Sequence, residues 1–145
     1  MAIRILLADD HKLIREALSR FLRTQEGMEV VGEAKDGVTA MELVEKLHPD
    51  IIIMDVSMPP VLSGLEARRW ICSRWPEMKV IALSMHKHKQ YVAEMFKAGA
   101  RGYMLKDSDY DELLEAIRTV AEGAIYVSPG VEVEATVSES HEQGE

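Results

Sequence analysis

The sequence predicts an α/β fold in which a parallel β-sheet lies between two layers of helices. Two observations predict this class. Short aliphatic segments alternate with segments of helical periodicity five times along the chain. One aliphatic segment, residues 51–55 (IIIMD), is apolar almost without interruption, which is typical of a strand covered on both faces. The length of 145 residues, with 47% hydrophobic residues, is enough for one domain with its own core.

The first two β-α units precede residue 50. Residues 3–8 (IRILLA) form a short aliphatic strand. The helix after it is indicated by apolar residues that recur on one helical face, namely Leu13, Ile14, Ala17, Leu18, Phe21 and Leu22. Residues 28–34 (MEVVGEA) form the second strand. The helix that follows must end before Pro49, because a residue that precedes proline disfavours helical dihedral angles.

The third and fourth units begin with the buried strand at residues 51–55. A third helix is predicted from about Gly64 to Trp75, before Pro76. Residues 79–84 (KVIALS) form the fourth strand. The fourth helix is closed by Gly99, because glycine commonly takes the left-handed conformation that ends a helix.

The fifth unit completes the predicted sheet. Residues 101–106 (RGYMLK) form its strand, and its helix carries the apolar residues Leu113, Leu114, Ile117, Val120 and Ala121. Right-handed connections between five such units predict a flavodoxin-like, doubly wound, five-stranded parallel sheet of order 2-1-3-4-5 with five helices. We therefore predict one domain at residues 1–126, followed by a tail at residues 127–145.

The charge distribution excludes several classes of protein. The tail holds five of the glutamates and no lysine or arginine, which leaves −3 of the total formal charge of −8 for residues 1–126. Neither part has the basic stripe that binds phosphates, so we expect no direct binding of nucleic acid by this chain.

No segment has the length and hydrophobicity of a membrane span or a secretory signal, so we expect a cytoplasmic protein. The acidic tail is predicted to be disordered or a linker remnant.

Polar residues follow four of the five strands. Asp9 and Asp10 follow the first strand, Asp55 ends the third, Ser84 ends the fourth and Lys106 ends the fifth. In a doubly wound sheet, ligands bind beyond the carboxyl ends of the strands. Each residue taken singly could be only a helix cap or a turn residue. Their joint placement predicts a functional site at this edge of the sheet.

The residue types indicate the chemistry of that site. Clustered carboxylates repel one another unless a cation lies among them, and hard oxygen ligands suit Mg²⁺ that keeps several of its waters. A metal beside a lysine and a hydroxyl can neutralise the charge of a phosphoryl group. Asp55 could accept that group, because a carboxylate can attack phosphorus and form an aspartyl phosphate.

These residues give the chain a resemblance to the receiver domains of two-component response regulators over residues 2–126. The resemblance includes the acid pair, IIIMDVSMP, VIALS and GYMLK. The endings KAGARGYMLKD and AIRTVAEGAIYVSP resemble the NarL/FixJ-type subfamily, whose receivers usually precede a helix-turn-helix domain.

The resemblance implies a role for each matching residue. Asp55 is the phosphoacceptor of a sensor histidine kinase. Mg²⁺ is bound by Asp10, Asp55 and the backbone carbonyl of Ser57, with Asp9 acting largely through water. Lys106 and Ser84 contact the phosphoryl group. Ser84 and Tyr103 form the switch, and self-association is expected through the face made by the fourth helix, the fifth strand and the fifth helix.

The chain departs from the family pattern in two places. Four residues, 60–63, separate the Met-Pro pair from Gly64 where the family usually has three, so the loop beside the acceptor carries one extra residue. No helix-turn-helix pattern follows residue 130. Two explanations are open: the chain is a receiver taken from a longer regulator, or it is a single-domain receiver with an acidic tail. We favour the first.

Two other functions are weighed against the phosphorylation switch. A phosphatase of the haloacid dehalogenase type would carry its two acids two residues apart, whereas Asp9 and Asp10 are adjacent. A receiver-like interaction module without phosphorylation would not need the complete acid set. Steady turnover of a phosphate ester would identify the phosphatase, and a single stoichiometric phosphorylation would identify the switch. We therefore expect a stoichiometric phosphoacceptor rather than an enzyme.

Overall fold

The computed structural model describes residues 2–55, 77–85, 89–97 and 99–129. Its strands are β1 (Ile3–Ala8), β2 (Met28–Ala34), β3 (Ile51–Asp55), β4 (Lys79–Ser84), β5 (Gly102–Leu105) and β6 (Tyr126–Val127). Its described helices are α1 (Lys12–Arg23), α2 (Gly37–Leu47), α3 (Lys89–Lys97) and α4 (Tyr110–Ala121). In this numbering, α3 and α4 are the fourth and fifth helices that the sequence predicts.

The strands form one parallel sheet of order β2-β1-β3-β4-β5-β6. This order confirms the doubly wound α/β fold. The chain runs outward from β1 to β2, and then crosses back to β3 on the other side of β1. The reversal of strand order therefore lies between β1 and β3, where doubly wound proteins bind their ligands.

The sheet has six strands rather than the predicted five. The additional strand, β6, is only two residues long and pairs with β5. Its flanking hydrogen bonds run from the N–H of Tyr126 to the carbonyl of Arg101 (3.0 Å) and from the N–H of Ser128 to the carbonyl of Tyr103 (3.0 Å). These bonds satisfy carbonyl groups on the outer edge of β5. A segment this short has no periodicity by which the sequence could reveal it.

Several predicted features lie outside the described residues. They are the third helix (64–75), the extra loop residue (60–63), Ser57, and residues 130–145 of the acidic tail. The strand β6 spans residue 126, where the sequence places the end of the domain.

The core has a layer of apolar side chains on each face of the sheet. Alternate residues of a strand point to opposite faces. Accordingly, Ile5 and Leu7 belong to the cluster that includes side chains of α1 and α4, whereas Leu6 and Ala8 belong to the cluster that includes side chains of α2. Every residue of β3 is buried, which confirms that this strand is covered on both faces.

Particular residues mark where the helices begin and end. The side chain of Asp36 accepts the N–H of Thr39 (2.7 Å) at the start of α2. The same helix ends at Leu47, and His48 takes a left-handed conformation (φ 48°) before Pro49. After α3, Gly99 has a φ of 111°, as its predicted role in helix termination requires. None of the described helices combines the length and hydrophobicity needed to span a bilayer.

Candidate functional site

The predicted site residues lie where three strands end at the same edge of the sheet. Asp9 and Asp10 follow β1, Asp55 is the last residue of β3, and Lys106 follows β5. Because β1 and β3 are neighbours with Ala8 opposite Met54, the acid pair and Asp55 lie on the two sides of the strand-order reversal. We call Asp9, Asp10 and Asp55 the acid cluster.

The acid cluster is largely buried and has one lysine within it. The side chains of Asp9 and Asp55 are 2% and 0% exposed, and that of Asp10 is 29% exposed. The Nζ atom of Lys106, whose side chain is 5% exposed, lies 3.0 Å from Oδ2 of Asp55 and 3.6 Å from Oδ2 of Asp9. The structure therefore brings the predicted acceptor, the acid pair and the predicted lysine together.

The charges of this cluster do not balance. Three carboxylates and one ammonium group carry a formal charge of −2, and buried charges are costly unless they are paired and hydrogen-bonded. Two buried oxygens, Oδ2 of Asp9 and Oδ1 of Asp10, accept no hydrogen bond from any residue in the described part of the chain. The cluster thus has oxygen atoms directed at a common space and an excess of negative charge.

The same atoms fit a divalent cation. One ligand atom from each of Asp9, Asp10, His11 and Asp55 lies within 4.8 Å of the others. Carboxylate oxygens are the ligands that Mg²⁺ prefers, and a partly exposed member such as Asp10 leaves room for the waters that Mg²⁺ retains. Ser57, the remaining predicted ligand, lies outside the described residues. The described residues are therefore suited to hold a divalent ion.

His11 also belongs to this site, although the sequence motifs do not predict a role for it. Its Nδ1 atom is 2.9 Å from Oδ1 of Asp9, 3.3 Å from Oδ1 of Asp10 and 3.6 Å from Oδ2 of Asp55. The same nitrogen is 3.1 Å from Nζ of Lys106. The only indication in the sequence is that His11 directly follows the acid pair, at the start of a predicted helix.

Backbone contacts hold the acid pair in place. The N–H of Asp9 donates to the carbonyl of Ala34 (2.9 Å), which extends the pairing of β1 with β2 by one residue. Arg15 of α1 donates from Nη1 to the carbonyl of Asp9 (2.7 Å) and from Nε to Glu33 (3.2 Å). The guanidinium group thus joins α1 to the ends of both strands, and it fixes the backbone from which the acid pair projects.

Ser84 and Tyr103, the predicted switch residues, are both fully buried. Ser84 ends β4, and its carbonyl accepts the N–H of Lys106 (2.9 Å). Tyr103 lies in β5 within an apolar cluster that includes Val92 and Met95 of α3. Ser84 is therefore linked through the backbone to the residue that carries the site's ammonium group, and Tyr103 packs beneath α3.

A second polar cluster lies at the same edge of the sheet, beyond β5. We call it the Ser128 cluster, and it consists of Ser128, Glu112, Ser108 and the N–H of Leu105. The hydroxyl of Ser128 accepts the N–H of Leu105 (3.1 Å) and donates to Oε2 of Glu112 (2.5 Å), and it is 3.4 Å from the hydroxyl of Ser108. Burial raises the pKa of the nearby Tyr126 phenol well above its usual value, and a hydrogen bond to Glu112 raises that pKa further.

Comparisons with known proteins agree on one family. The response regulator receiver domain family matches residues 5–118. The transcriptional regulatory protein DegU of Brevibacillus brevis is 46% identical over 129 residues, which are 89% of this chain and 54% of that protein. The oxygen regulatory protein NreC of Staphylococcus epidermidis is 45% identical over 125 residues, which are 86% of this chain and 57% of that protein. The chain spans little more than half the length of these relatives.

Solved structures agree with this assignment. A two-component response regulator of the LuxR family from Aurantimonas sp. SI85-9A1 has a TM-score of 0.85 and 33% identity, with all of both chains covered. The response regulator domain of Thermotoga maritima CheB has a TM-score of 0.77 and 33% identity, with 84% of this chain and 98% of that chain covered. The resemblance that the sequence motifs indicate is confirmed.

Proposed function

Because the chain belongs to the family of response regulator receiver domains, we propose that it is a phosphorylation switch in which Asp55 is the phosphoacceptor. The observation that carries this proposal is the environment of Asp55. Its side chain is fully buried, and its Oδ2 atom lies 3.0 Å from Nζ of Lys106 and beside the acid pair. The donor is the phosphohistidine of a sensor histidine kinase.

The acid cluster supports the choice of Mg²⁺ as the cofactor. Asp10, Asp55 and the backbone carbonyl of Ser57 would hold the ion, and Asp9 would act largely through water. The ion would supply positive charge to the phosphoryl oxygens during transfer. Oδ2 of Asp9 and Oδ1 of Asp10 accept no hydrogen bond from the described residues, which favours such a cation.

The side chains of the site would each take part in the transfer. A carboxylate oxygen of Asp55 forms a bond to phosphorus as the P–N bond to the donor histidine breaks, and the donor imidazole leaves with the bonding electron pair. Lys106 lies close enough to Asp55 to neutralise charge on the transferred group. The receiver would thus catalyse its own phosphorylation and the later hydrolysis, with one phosphoryl group bound per chain.

The phosphoryl group would act on the rest of the domain through Ser84 and Tyr103. A ligand shifts a conformational equilibrium only through contacts that differ between the two states. The hydroxyl of Ser84 would hydrogen-bond a phosphoryl oxygen, and the ring of Tyr103 would move into the space that the loop after β4 leaves. The face made by α3, β5 and α4 would then change its association with a partner or with a second copy.

The output that we propose is the control of transcription. DegU and NreC are regulatory proteins by name, and each is nearly twice the length matched here. DNA binding would belong to a domain outside residues 1–145, since the chain itself has a formal charge of −8 and would repel DNA phosphates. We place the phosphotransfer in the cytoplasm, where the ATP that supplies the kinase is found.

Intact-mass analysis tests the acceptor. With acetyl phosphate and Mg²⁺, the wild-type chain should gain one phosphoryl group, and Asp55→Asn should gain none because it lacks the nucleophilic carboxylate. Asp36→Asn, which alters a helix cap outside the acid cluster, should be phosphorylated like the wild type. Modification of Asp55→Asn at the wild-type rate would show that another residue is the acceptor. Continuous release of phosphate in many turnovers would favour an enzyme.

A second experiment tests the switch. Beryllofluoride with Mg²⁺ should shift the backbone amide resonances of residues 85–110 in the wild-type chain. Ser84→Ala should still bind beryllofluoride at Asp55 but show much smaller shifts in this segment, because the hydroxyl contact is missing. Equal shifts in both proteins would rule out Ser84 as the residue that transmits phosphorylation.

A further inference from the structure

The imidazole of His11 lies within the acid cluster. Its Nδ1 atom contacts one oxygen of each of the three aspartates, at 2.9, 3.3 and 3.6 Å. Two of the oxygens directed at the same space, Oδ2 of the 2%-exposed Asp9 and Oδ1 of Asp10, accept no hydrogen bond from the described residues. The cluster therefore offers one nitrogen and several oxygens to the same position.

The ring of His11 can lie in the acid cluster or turn away from it. The N–H of His11 donates to Oδ1 of Asp9 (2.8 Å), and His11 is the N-cap residue of α1, but its side chain makes no capping hydrogen bond. The ring is free to point at the carboxylates instead of the helix. The side chain is also 53% exposed, so the ring can rotate towards solvent without displacing core residues.

The spacing of these atoms matches neighbouring ligands of a transition-metal ion. Bonds of about 2.1 Å at right angles place adjacent ligand atoms about 3 Å apart. The distances from Nδ1 to Asp9 and Asp10, 2.9 and 3.3 Å, are close to this value. Imidazole suits ions such as Fe²⁺, Co²⁺ and Zn²⁺, whereas Mg²⁺ prefers a shell of oxygen atoms and retains its waters.

We propose that His11 sets the metal selectivity of this receiver, by ligating ions that accept imidazole and by competing with Mg²⁺ for the carboxylates. The inference rests on the proposed function, in which the acid cluster binds a divalent ion. When Mg²⁺ binds, the ring must leave the cluster, and its contact with Asp9 is lost. When an ion that accepts nitrogen binds, the ring stays. His11 therefore weakens Mg²⁺ binding relative to the binding of such ions.

Calorimetric titrations of the chain with Mg²⁺ and with Co²⁺ test the selectivity. The ratio of the Kd for Mg²⁺ to the Kd for Co²⁺ should fall about tenfold or more in His11→Ala, the factor that one charge-assisted hydrogen bond is worth in an equilibrium constant. His48→Asn, which removes a histidine at the end of α2 and keeps a residue that tolerates its left-handed conformation, should leave the ratio unchanged. His11→Asn provides a second variant that retains a good helix cap.

The spectrum of bound Co²⁺ gives an independent readout. The chain has five histidines, so the ligand must be identified by substitution. A contact-shifted imidazole N–H resonance should appear in the proton spectrum of the Co²⁺-loaded wild type and of His48→Asn, and it should be missing from His11→Ala.

The outcomes separate this inference from the proposed function. If both Kd values change by the same factor in His11→Ala, or neither changes, the ring does not select between ions and the inference is wrong, while the metal site remains. If the wild type binds neither ion, the proposed metal site fails as well.

Discussion

The acid cluster and the Ser128 cluster lie at the same edge of one sheet, but their polar groups are paired very differently. Ser128 is 3% exposed, and its hydroxyl both accepts a hydrogen bond from the N–H of Leu105 and donates one to Glu112. The acid cluster has three carboxylates around one ammonium group and leaves two buried oxygens without hydrogen bonds from the described residues.

From this difference we expect the Ser128 cluster to stabilise the fold and the acid cluster to bind a ligand. A buried polar group that has its partners stabilises the fold, and its removal leaves those partners unsatisfied. A buried excess of like charge raises the free energy of the folded state unless a ligand compensates it. Substitutions in the two clusters should therefore change the free energy of unfolding with opposite signs.

The largest change in stability is expected for Ser128→Ala. It removes the acceptor of the Leu105 N–H and the donor to Glu112, so we expect the free energy of unfolding to fall by about 2 kcal/mol. Urea denaturation would measure it. Ser108→Ala is the matched control: Ser108 is partly buried, and among the described residues its hydroxyl makes a single contact, at 3.4 Å, so the loss should be well under half as large. An equal loss in the two variants would contradict the distinct role of Ser128.

Asp10→Asn should have the opposite sign. It removes one charge from the acid cluster at almost constant shape, so in EDTA the variant should be more stable than the wild type by about 1 kcal/mol. Because most substitutions destabilise, the sign is diagnostic. Mg²⁺ at ten times its Kd should stabilise the wild type by about 1.4 kcal/mol and the variant much less.

Denaturation of both proteins with EDTA and with millimolar Mg²⁺ would measure this effect. Asp50→Asn is the control, because Asp50 already accepts the N–H of Arg4 (2.9 Å) and lies before β3 rather than after it. It should gain no stability in EDTA. If Asp10→Asn destabilises the protein without metal and responds to Mg²⁺ like the wild type, the acid pair is a structural cap.

The smallest change in the free energy of unfolding is expected at Asp36, a carboxylate that already accepts a hydrogen bond. The N–H of Thr39 lowers the pKa of Asp36 below its ordinary value of 3.8, and the charge of Lys35 lowers it further. The folded pKa lies below the unfolded pKa, so the ionised form stabilises the protein above pH 3.8, and this contribution is lost as the pH falls through the folded pKa. Asp36→Asn should cost about 0.5 kcal/mol at pH 7.

Denaturation of wild type and Asp36→Asn at several pH values would follow this difference. It should shrink as the pH falls below 3.8. A difference that stays constant down to the acid transition would mean that the charge of Asp36 does not contribute to stability.

Much of the site could be predicted because residues after parallel strands meet at one edge of a sheet. That rule placed the acid pair, Asp55 and Lys106 together, and the structure agrees. The same rule could not predict that the His11 ring lies in the site. The direction of a ring at the start of a helix depends on contacts with residues far away in the sequence, such as Lys106. Nor could it reveal Ser128, whose partners lie 16 and 23 residues earlier.

The sequence by itself determined the order of the five longer strands and the four described helices along the chain, the helix boundaries at Pro49 and Gly99, and the double burial of β3. These features depend on local dihedral preferences and on periodicity. The tertiary structure alone decided that β6 pairs with β5 and that the His11 nitrogen lies among the carboxylates. It also decided that the hydroxyl of Ser128 has hydrogen-bond partners, whereas Oδ2 of Asp9 has none among the described residues. These features depend on distances between side chains and edges that only the packed sheet brings together. Periodicity along a chain carries no information about such distances.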